Sequence, residues 1–204
     1  SNSLDFGTVK QLKKNMVAEI AATLAFSAIQ NNDKIGVIFF SDRIEKFIPP
    51  KKGRKHILYI IRELLDFKPE STRTNIQCAI EYLTNVLKKR CTAFMLSDFI
   101  DDRDFQNALT IANRKHDVVA LQVYDRRLEE LPDVGLMKVR DAETGHEQWI
   151  DTSSKSLRKT HHEWWKSRQQ KLHEIFTHSN VDAVSVRTDQ DYVKALLNLF
   201  AKRN

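Results

Sequence analysis

The chain reads as one α/β domain, a mostly parallel sheet with one antiparallel edge strand. Three observations point there. Apolar runs at 35–40, 92–96 and 118–123, with a last strand at 181–186, have the look of strands buried on both faces. Amphipathic stretches with apolar residues every three or four positions separate them, the period of helices. Strand and helix alternate through most of the chain, which implies parallel pairing through right-handed crossovers.

The elements follow in order. Residues 9–30 form a long helix through Met16, Ile20, Leu24 and Ala28, stopped by Asn31-Asn32-Asp33. The run 35–40 is the first strand. After a turn at Ser41-Asp42, residues 43–48 alternate and stop at Pro49-Pro50. That is an edge partner, because proline cannot donate to a ladder. Helices are expected at 54–66, 75–89 and 102–114, with strands at 92–96 and 118–123 between and after the last two. Beyond Asp125 the pattern changes. Residues 136–140 and 147–150 flank the polar tip Asp141-Ala142-Glu143-Thr144-Gly145, a hairpin inserted near 135–151. A charged helix at 155–178 carries Trp164, Trp165, Leu172 and Phe176. Two adjacent helical aromatics point about 100° apart, so only one of the Trp pair can face the sheet squarely. Thr188-Asp189-Gln190-Asp191 resembles a capping box opening a final helix through Leu196 and Phe200.

The bulk numbers bound the function. At 204 residues and 41% hydrophobic, the chain suits one domain spanning 1–204 with a substantial core. Net charge is +6 and the pI about 9.3. Lys and Arg mix with Asp and Glu along most helices, so no nucleic-acid face is expected. The basic run Lys51-Lys52-Gly53-Arg54-Lys55 reads as a solvated turn before a helix. Cys78 and Cys91 stand far apart without a C-x-x-C, which points to a reducing compartment, the cytoplasm. No stretch approaches the ~18 apolar residues of a membrane helix.

Ser1-Asn2-Ser3, Thr74-Asn75 and Leu96-Ser97-Asp98 hold the residues of interest. Read by spacing alone, each has an ordinary role: Thr74 as a helix cap, Asp98 as a cap for the helix near 102, the serines as chain-terminal residues. Their context carries more. Ser1-Asn2-Ser3-Leu4-Asp5-Phe6-Gly7, Asn31-Asn32-Asp33-Lys34-Ile35-Gly36, Phe40-Ser41-Asp42, Phe47-Ile48-Pro49-Pro50-Lys51-Lys52-Gly53-Arg54 and Leu96-Ser97-Asp98-Phe99 follow in fixed order, then His116-Asp117-Val118-Val119-Ala120-Leu121 and Asp141-Ala142-Glu143-Thr144-Gly145. As a set they resemble, over essentially the whole chain, the bacterial family called domain of unknown function 58, a von Willebrand factor A-like group.

That resemblance implies a Rossmann-like von Willebrand A-type three-layer sandwich. It also implies an adhesion-type metal site, with Ser1, Ser3, Thr74 and Asp98 matching its ligands and a divalent cation such as Mg²⁺ bound between them. Hard divalent ions take oxygen ligands, and neutral hydroxyls leave the ion electrophilic toward a partner's carboxylate. The implied partners are MoxR-type AAA+ ATPases. The family pattern opens D-x-S-x-S, whereas this sequence starts at the first Ser; weak or absent metal binding is the expectation for this stretch. Asn75, where relatives often carry Asp, trims the local negative charge further. The first central strand of such a sheet would precede residue 1, between 35–40 and 92–96. The sequence is thus expected to be an excerpt, with either direct pairing across that gap or a borrowed segment, and its exposed sheet edges offer a route to a dimer.

Other functions lack their residues. The five glycines are scattered, so there is no G-x-G-x-x-G and no P-loop. Among seven histidines there is no H-E-x-x-H and no nearby cysteine cluster, against zinc. Asp98, Asp101, Asp102 and Asp104 could serve a metal-dependent phosphoester hydrolase, the alternative to a non-enzymatic interaction domain, but no Lys or His is placed beside them as a base.

Overall fold

The structure, a computed structural model, describes residues 7–71, 73–140 and 147–203. Its first half runs α1 (Gly7–Gln30), β1 (Ile35–Phe40), β2 (Ile44–Lys51), α2 (Arg54–Asp66), α3 (Ile76–Val86), β3 (Thr92–Ser97) and α4 (Gln106–Lys115). Then come β4 (Asp117–Tyr124), a short α5 (Arg126–Glu129), β5 (Leu136–Arg140), β6 (Glu147–Asp151), α6 (Lys155–His178), β7 (Asp182–Arg187) and α7 (Tyr192–Ala201).

Local chemistry sets the boundaries. Asn32 takes a left-handed conformation (φ 56°), and the Asp33 N–H turns back to the Ala28 carbonyl at 2.8 Å, closing α1 as such caps do. Asn180 (φ 52°) ends α6 in the same way, with the Val181 N–H on the Phe176 carbonyl at 2.9 Å. Asn75, Ser154 and Asp191 cap α3, α6 and α7 through their side chains. The capping box expected at 188–191 is corrected here: the Thr188 hydroxyl donates to Asp125 Oδ2 at 3.0 Å instead, and Asp191 does the capping. The helix expected from 102 starts only at Gln106. Asp101 and Asp104 each accept the N–H two residues on, local turns that compete with helix.

β3, β4 and β7 form a parallel sheet in that order, with Leu96 beside Leu121 and Leu121 beside Val184. Central β4 is buried from Val118 to Val123, and its alternation feeds two cores. Val119, Leu121 and Val123 pack with Ile20 of α1 and Leu196 and Leu199 of α7. Val118 and Ala120 pack on the other face with Ile80, Leu109, Leu172 and Phe176 of α3, α4 and α6. Helix, sheet and helix are the three layers.

β1 and β2 form a separate antiparallel pair over α2, with Phe39, Ile48 and Ile60 at its core. The pair comes very close at Gly36, where an added Cβ would lie 2.7 Å from the Ile48 carbonyl oxygen. Among the described residues β1–β2 and β3–β4–β7 belong to separate sheets, as the interruption expected between 35–40 and 92–96 requires. The direct pairing offered as one way of closing it is absent: among the described residues β1 and β3 share no ladder, although Phe40 and Met95 both reach the α3–α4–α6 core. β5 and β6 make the expected inserted hairpin, whose tip at 141–146 lies outside the described residues. Of the Trp pair, Trp165 is 4% exposed and Trp164 43%, as the helical geometry requires.

Candidate functional site

At the carboxyl end of β3 the backbone turns sharply. Phe99, a bulky residue, is held at φ 55°, and its buried ring meets Phe176 edge-on at 5.1 Å. A left-handed conformation at such a residue persists only where packing over-determines it. Around the bend, Ser97 Oγ accepts the Phe99 N–H at 3.0 Å and Asp98 Oδ1 the Ile100 N–H at 3.2 Å. Asp98 is fully enclosed, and the Lys13 ammonium of α1 pairs with its Oδ2.

Three loops are tied together at this end. The Asn75 N–H donates to the Ser41 carbonyl at 2.8 Å, joining the segment before α3 to the end of β1. The Ile76 N–H donates to Asp101 Oδ2 at 2.8 Å, and Arg103 donates to the Thr74 carbonyl at 2.8 Å, joining that segment to the loop after β3. Ser41, Thr74 and Asp98 are all buried. Asp42 is held below the usual carboxylate range by the Ser71 hydroxyl beside it, with Ser41 and Arg43 adding to the effect. Ligands of open parallel sheets bind at this end of the strands.

The structure thus brings the Thr74 and Asp98 segments to one rim. Ser1 and Ser3 lie outside the described residues. The acids that could have served a hydrolase are occupied locally: Asp101 serves α3 and the Arg103 amide, and Asp104 the Gln106 amide. Among the described residues no three His, Cys, Asp or Glu side chains converge as metal ligands. Thr74, whose carbonyl accepts from Arg103, and Asp98, paired with Lys13, are both buried on these tied loops. Of the four ligands that the resemblance implies, Thr74 and Asp98 lie among the described residues, where an ion would find one carboxylate, already paired with Lys13.

Two supporting residues escaped the sequence reading. Gln122 donates to the Asp98 carbonyl at 3.2 Å and accepts from the Ser185 hydroxyl at 2.7 Å, a polar line that runs from the buried end of β3 to an exposed residue of β7. Its signal was available, as one polar residue inside an apolar strand run. Arg168 of α6 reaches Asp102 Oδ1 at 3.0 Å and the Asp101 carbonyl at 2.9 Å, clamping the loop from above. No sequence spacing marks that contact.

Elsewhere, Cys91 Sγ and His116 Nδ1 stand 3.5 Å apart at the opposite end of β3 and β4. Burial pushes the thiol up and the imidazole down. Both groups are therefore favoured neutral, the reverse of an activated thiolate–imidazolium pair. His161 and His162 contact the carbonyls of Leu128 and Glu129, holding α6 against α5. Among the described residues no helix is long and apolar enough to cross a membrane.

The family model described as protein of unknown function DUF58 matches residues 1–171. Uncharacterized proteins of Mycobacterium bovis and Mycobacterium tuberculosis are 27% identical over 207 aligned positions, covering 100% of this chain. The chain spans 64% of the length of those curated relatives. An uncharacterized protein of Mycobacterium avium is 26% identical over 160 positions, covering 76% of this chain and 93% of its own. Among solved structures, a conserved hypothetical protein BatB from Bacteroides thetaiotaomicron aligns with a TM-score of 0.56 at 17% identity, covering 91% of this chain and 87% of that one. An aerotolerance-related membrane protein from Bacteroides fragilis aligns with the same score and identity, covering 91% and 88%. At that identity the likeness speaks to the fold.

Proposed function

The chain belongs to the DUF58 family of proteins of unknown function, and on that premise we propose that it is a non-enzymatic interaction domain whose rim binds an acidic group of a protein partner through a divalent ion. Thr74 and Asp98 would hold the ion, with Ser1 and Ser3 completing the set. The ion's contribution when bound is an electrophilic open position for a partner carboxylate. The residues of this chain supply the enclosure: Gln122, Arg103 and Arg168 fix the loops, and Phe99 fixes the bend. The partner class is a MoxR-type AAA+ ATPase or a client of it, met in the cytoplasm.

One observation carries the reading. A buried Asp stands at the carboxyl end of a parallel strand where the segment before α3 ties the Ser41 loop to the loop after β3, and nearby Asp101 and Asp104 are spent on backbone amides. Calorimetry with Mg²⁺ and Mn²⁺ tests it. Binding abolished by Asp98→Asn, without phosphodiesterase turnover, supports an interaction domain. Turnover that vanishes with Asp98→Ala replaces it with the hydrolase reading.

A further inference from the structure

Charges of both signs mix along the sequence, but the fold collects one set of cations at a single end of the molecule. β1 finishes at Ser41, whose carbonyl is tied to the Asn75 amide beside the rim. β1 therefore starts, and its antiparallel partner β2 finishes, at the opposite pole, where Ile35 pairs with Lys51. The parallel strands β3, β4 and β7 also start there. α3 descends beside β2, with Phe47 and Tyr82 ring to ring at 5.7 Å, and so delivers the turn before β3 to the same pole as the turn after β2. The first of these turns carries Lys88, Lys89 and Arg90, the second Lys51, Lys52, Arg54 and Lys55, all exposed. Among the described residues none of the seven is held in an ion pair. Lys34 before β1 and Arg114 near the end of α4 add two more exposed cations. Against them stand Asp33, Asp117 and Asp182 at the strand starts, the last two both held by Arg203.

Helix ends separate the ordinary charges from the unexplained ones. Cations after α3 and in the last turn of α4 meet the negative end of a helix dipole, which favours them. Arg54 and Lys55 stand in the first turn of α2, where the dipole is positive, no acid accompanies them and Gly53 supplies no side-chain cap. Their placement costs local stability, and departures from local preference concentrate at functional surfaces. We propose that this pole docks on an anionic phospholipid surface, leaving the rim at the far end of the strands turned away from the membrane. Lysine predominates here, a compact hydrated point charge suited to a diffuse anionic field rather than to bidentate reading of single phosphates. The charged turns close strands and helices together, so they form a broad end that matches a plane. No aromatic residue occurs within 51–55 or 87–91 to stack on bases, and no large apolar side chain is exposed there to insert into lipid. Attraction is thus electrostatic, adds up over the Lys and Arg residues and weakens with salt. None of this depends on an ion at Asp98.

Co-sedimentation of the intact protein with vesicles tests the proposal. Vesicles of about one-third phosphatidylserine should bind it and phosphatidylcholine alone should not, with binding falling steeply from about 0.05 to 0.5 M salt. The combined variant Lys51→Gln, Lys52→Gln, Arg54→Gln and Lys55→Gln should bind on the order of a hundred-fold more weakly, as should Lys88→Gln, Lys89→Gln and Arg90→Gln. A third variant, Lys155→Gln, Lys159→Gln and Lys166→Gln, removes exposed charge from the far end of α6 and should bind like wild type. No binding to phosphatidylserine vesicles, or equal losses in all three variants, overturns the proposal. Tighter binding of a short DNA duplex that the two pole variants weaken reassigns the surface to nucleic acid and overturns it too. So does self-association of the protein without vesicles that is lost in those variants, because the pole would then meet a second copy. Should a pole variant fail to fold, trypsin cleavage of wild type decides: phosphatidylserine vesicles should slow it at 51–55 and 88–90, and unchanged cleavage refutes the docking.

Discussion

The Asp101 carboxylate accepts the Ile76 backbone N–H at 2.8 Å, so the loop that ends β3 carries the first turn of α3. First-turn amides have no partner within their own helix, and a negative charge there also meets the positive end of the helix dipole. Replacing Asp101 by Ala should cost about 1–2 kcal/mol in urea denaturation, with Asp101→Asn losing less. A wild-type midpoint for Asp101→Ala would mean that the two loops are joined some other way.

Gln122 is the buried joint between Asp98 and Ser185. Gln122→Leu keeps the volume but removes the donor to the buried Asp98 carbonyl, a loss of about 1–3 kcal/mol. Adding Ser185→Ala should change it little, because the exposed Ser185 hydroxyl turns to water once Gln122 is gone. A double-mutant cycle measured by chemical denaturation reads the coupling.

Gly36 faces backbone rather than movable side chains, with the Ile48 oxygen 2.7 Å and the Pro50 nitrogen 2.9 Å from an added Cβ. Gly36→Ala must push β1 and β2 apart. A destabilisation of about 1–3 kcal/mol is expected from such overpacking, with hydrogen exchange quickening first in 35–51.

Trp164 and Trp165 should separate cleanly. Trp165 packs beside Tyr124 with ring centroids 5.0 Å apart, and its loss to Ala should cost about 3–5 kcal/mol. Trp164 lies half-exposed under Arg168 at 5.8 Å, and its loss should cost no more than about 1 kcal/mol. Comparable losses in thermal melts would contradict the assignment of which face is core.

His116 and His161 both titrate below the ordinary 6.5, each chiefly because burial disfavours the imidazolium. The unfolded chain therefore binds protons that the folded one refuses. Stability is full above about pH 6.5 and declines as pH falls from there through the depressed folded values. Melting temperatures measured from pH 7.5 down to 5 should fall, and His116→Gln should flatten part of the slope. A profile unchanged by that substitution would assign the decline elsewhere.

Much of the architecture was legible because burial writes a period into sequence. The short β-branched apolar run of β4, broken only by Gln122, pointed to a strand covered on both faces, and adjacent Trp164 and Trp165 had to diverge. Boundaries were less legible where short polar side chains compete for backbone amides. Asp101 and Asp104 hold 102–105 out of α4, and Asp191 took the capping role expected of Thr188. For the rim, spacing offered Thr74 and Asp98 only as ordinary caps, and family resemblance was needed to connect them.

By itself the sequence determined the alternation of strand and helix and the parallel core, since these follow from hydrophobic period, whereas the divided sheet was expected only through the family resemblance. Only the tertiary structure decided that Lys13, 85 positions from Asp98, neutralises it, and that Arg168 and Gln122 brace the same loop. Pairings of that kind depend on how helices are seated against strands, and a seating angle leaves no trace in the spacing of residues.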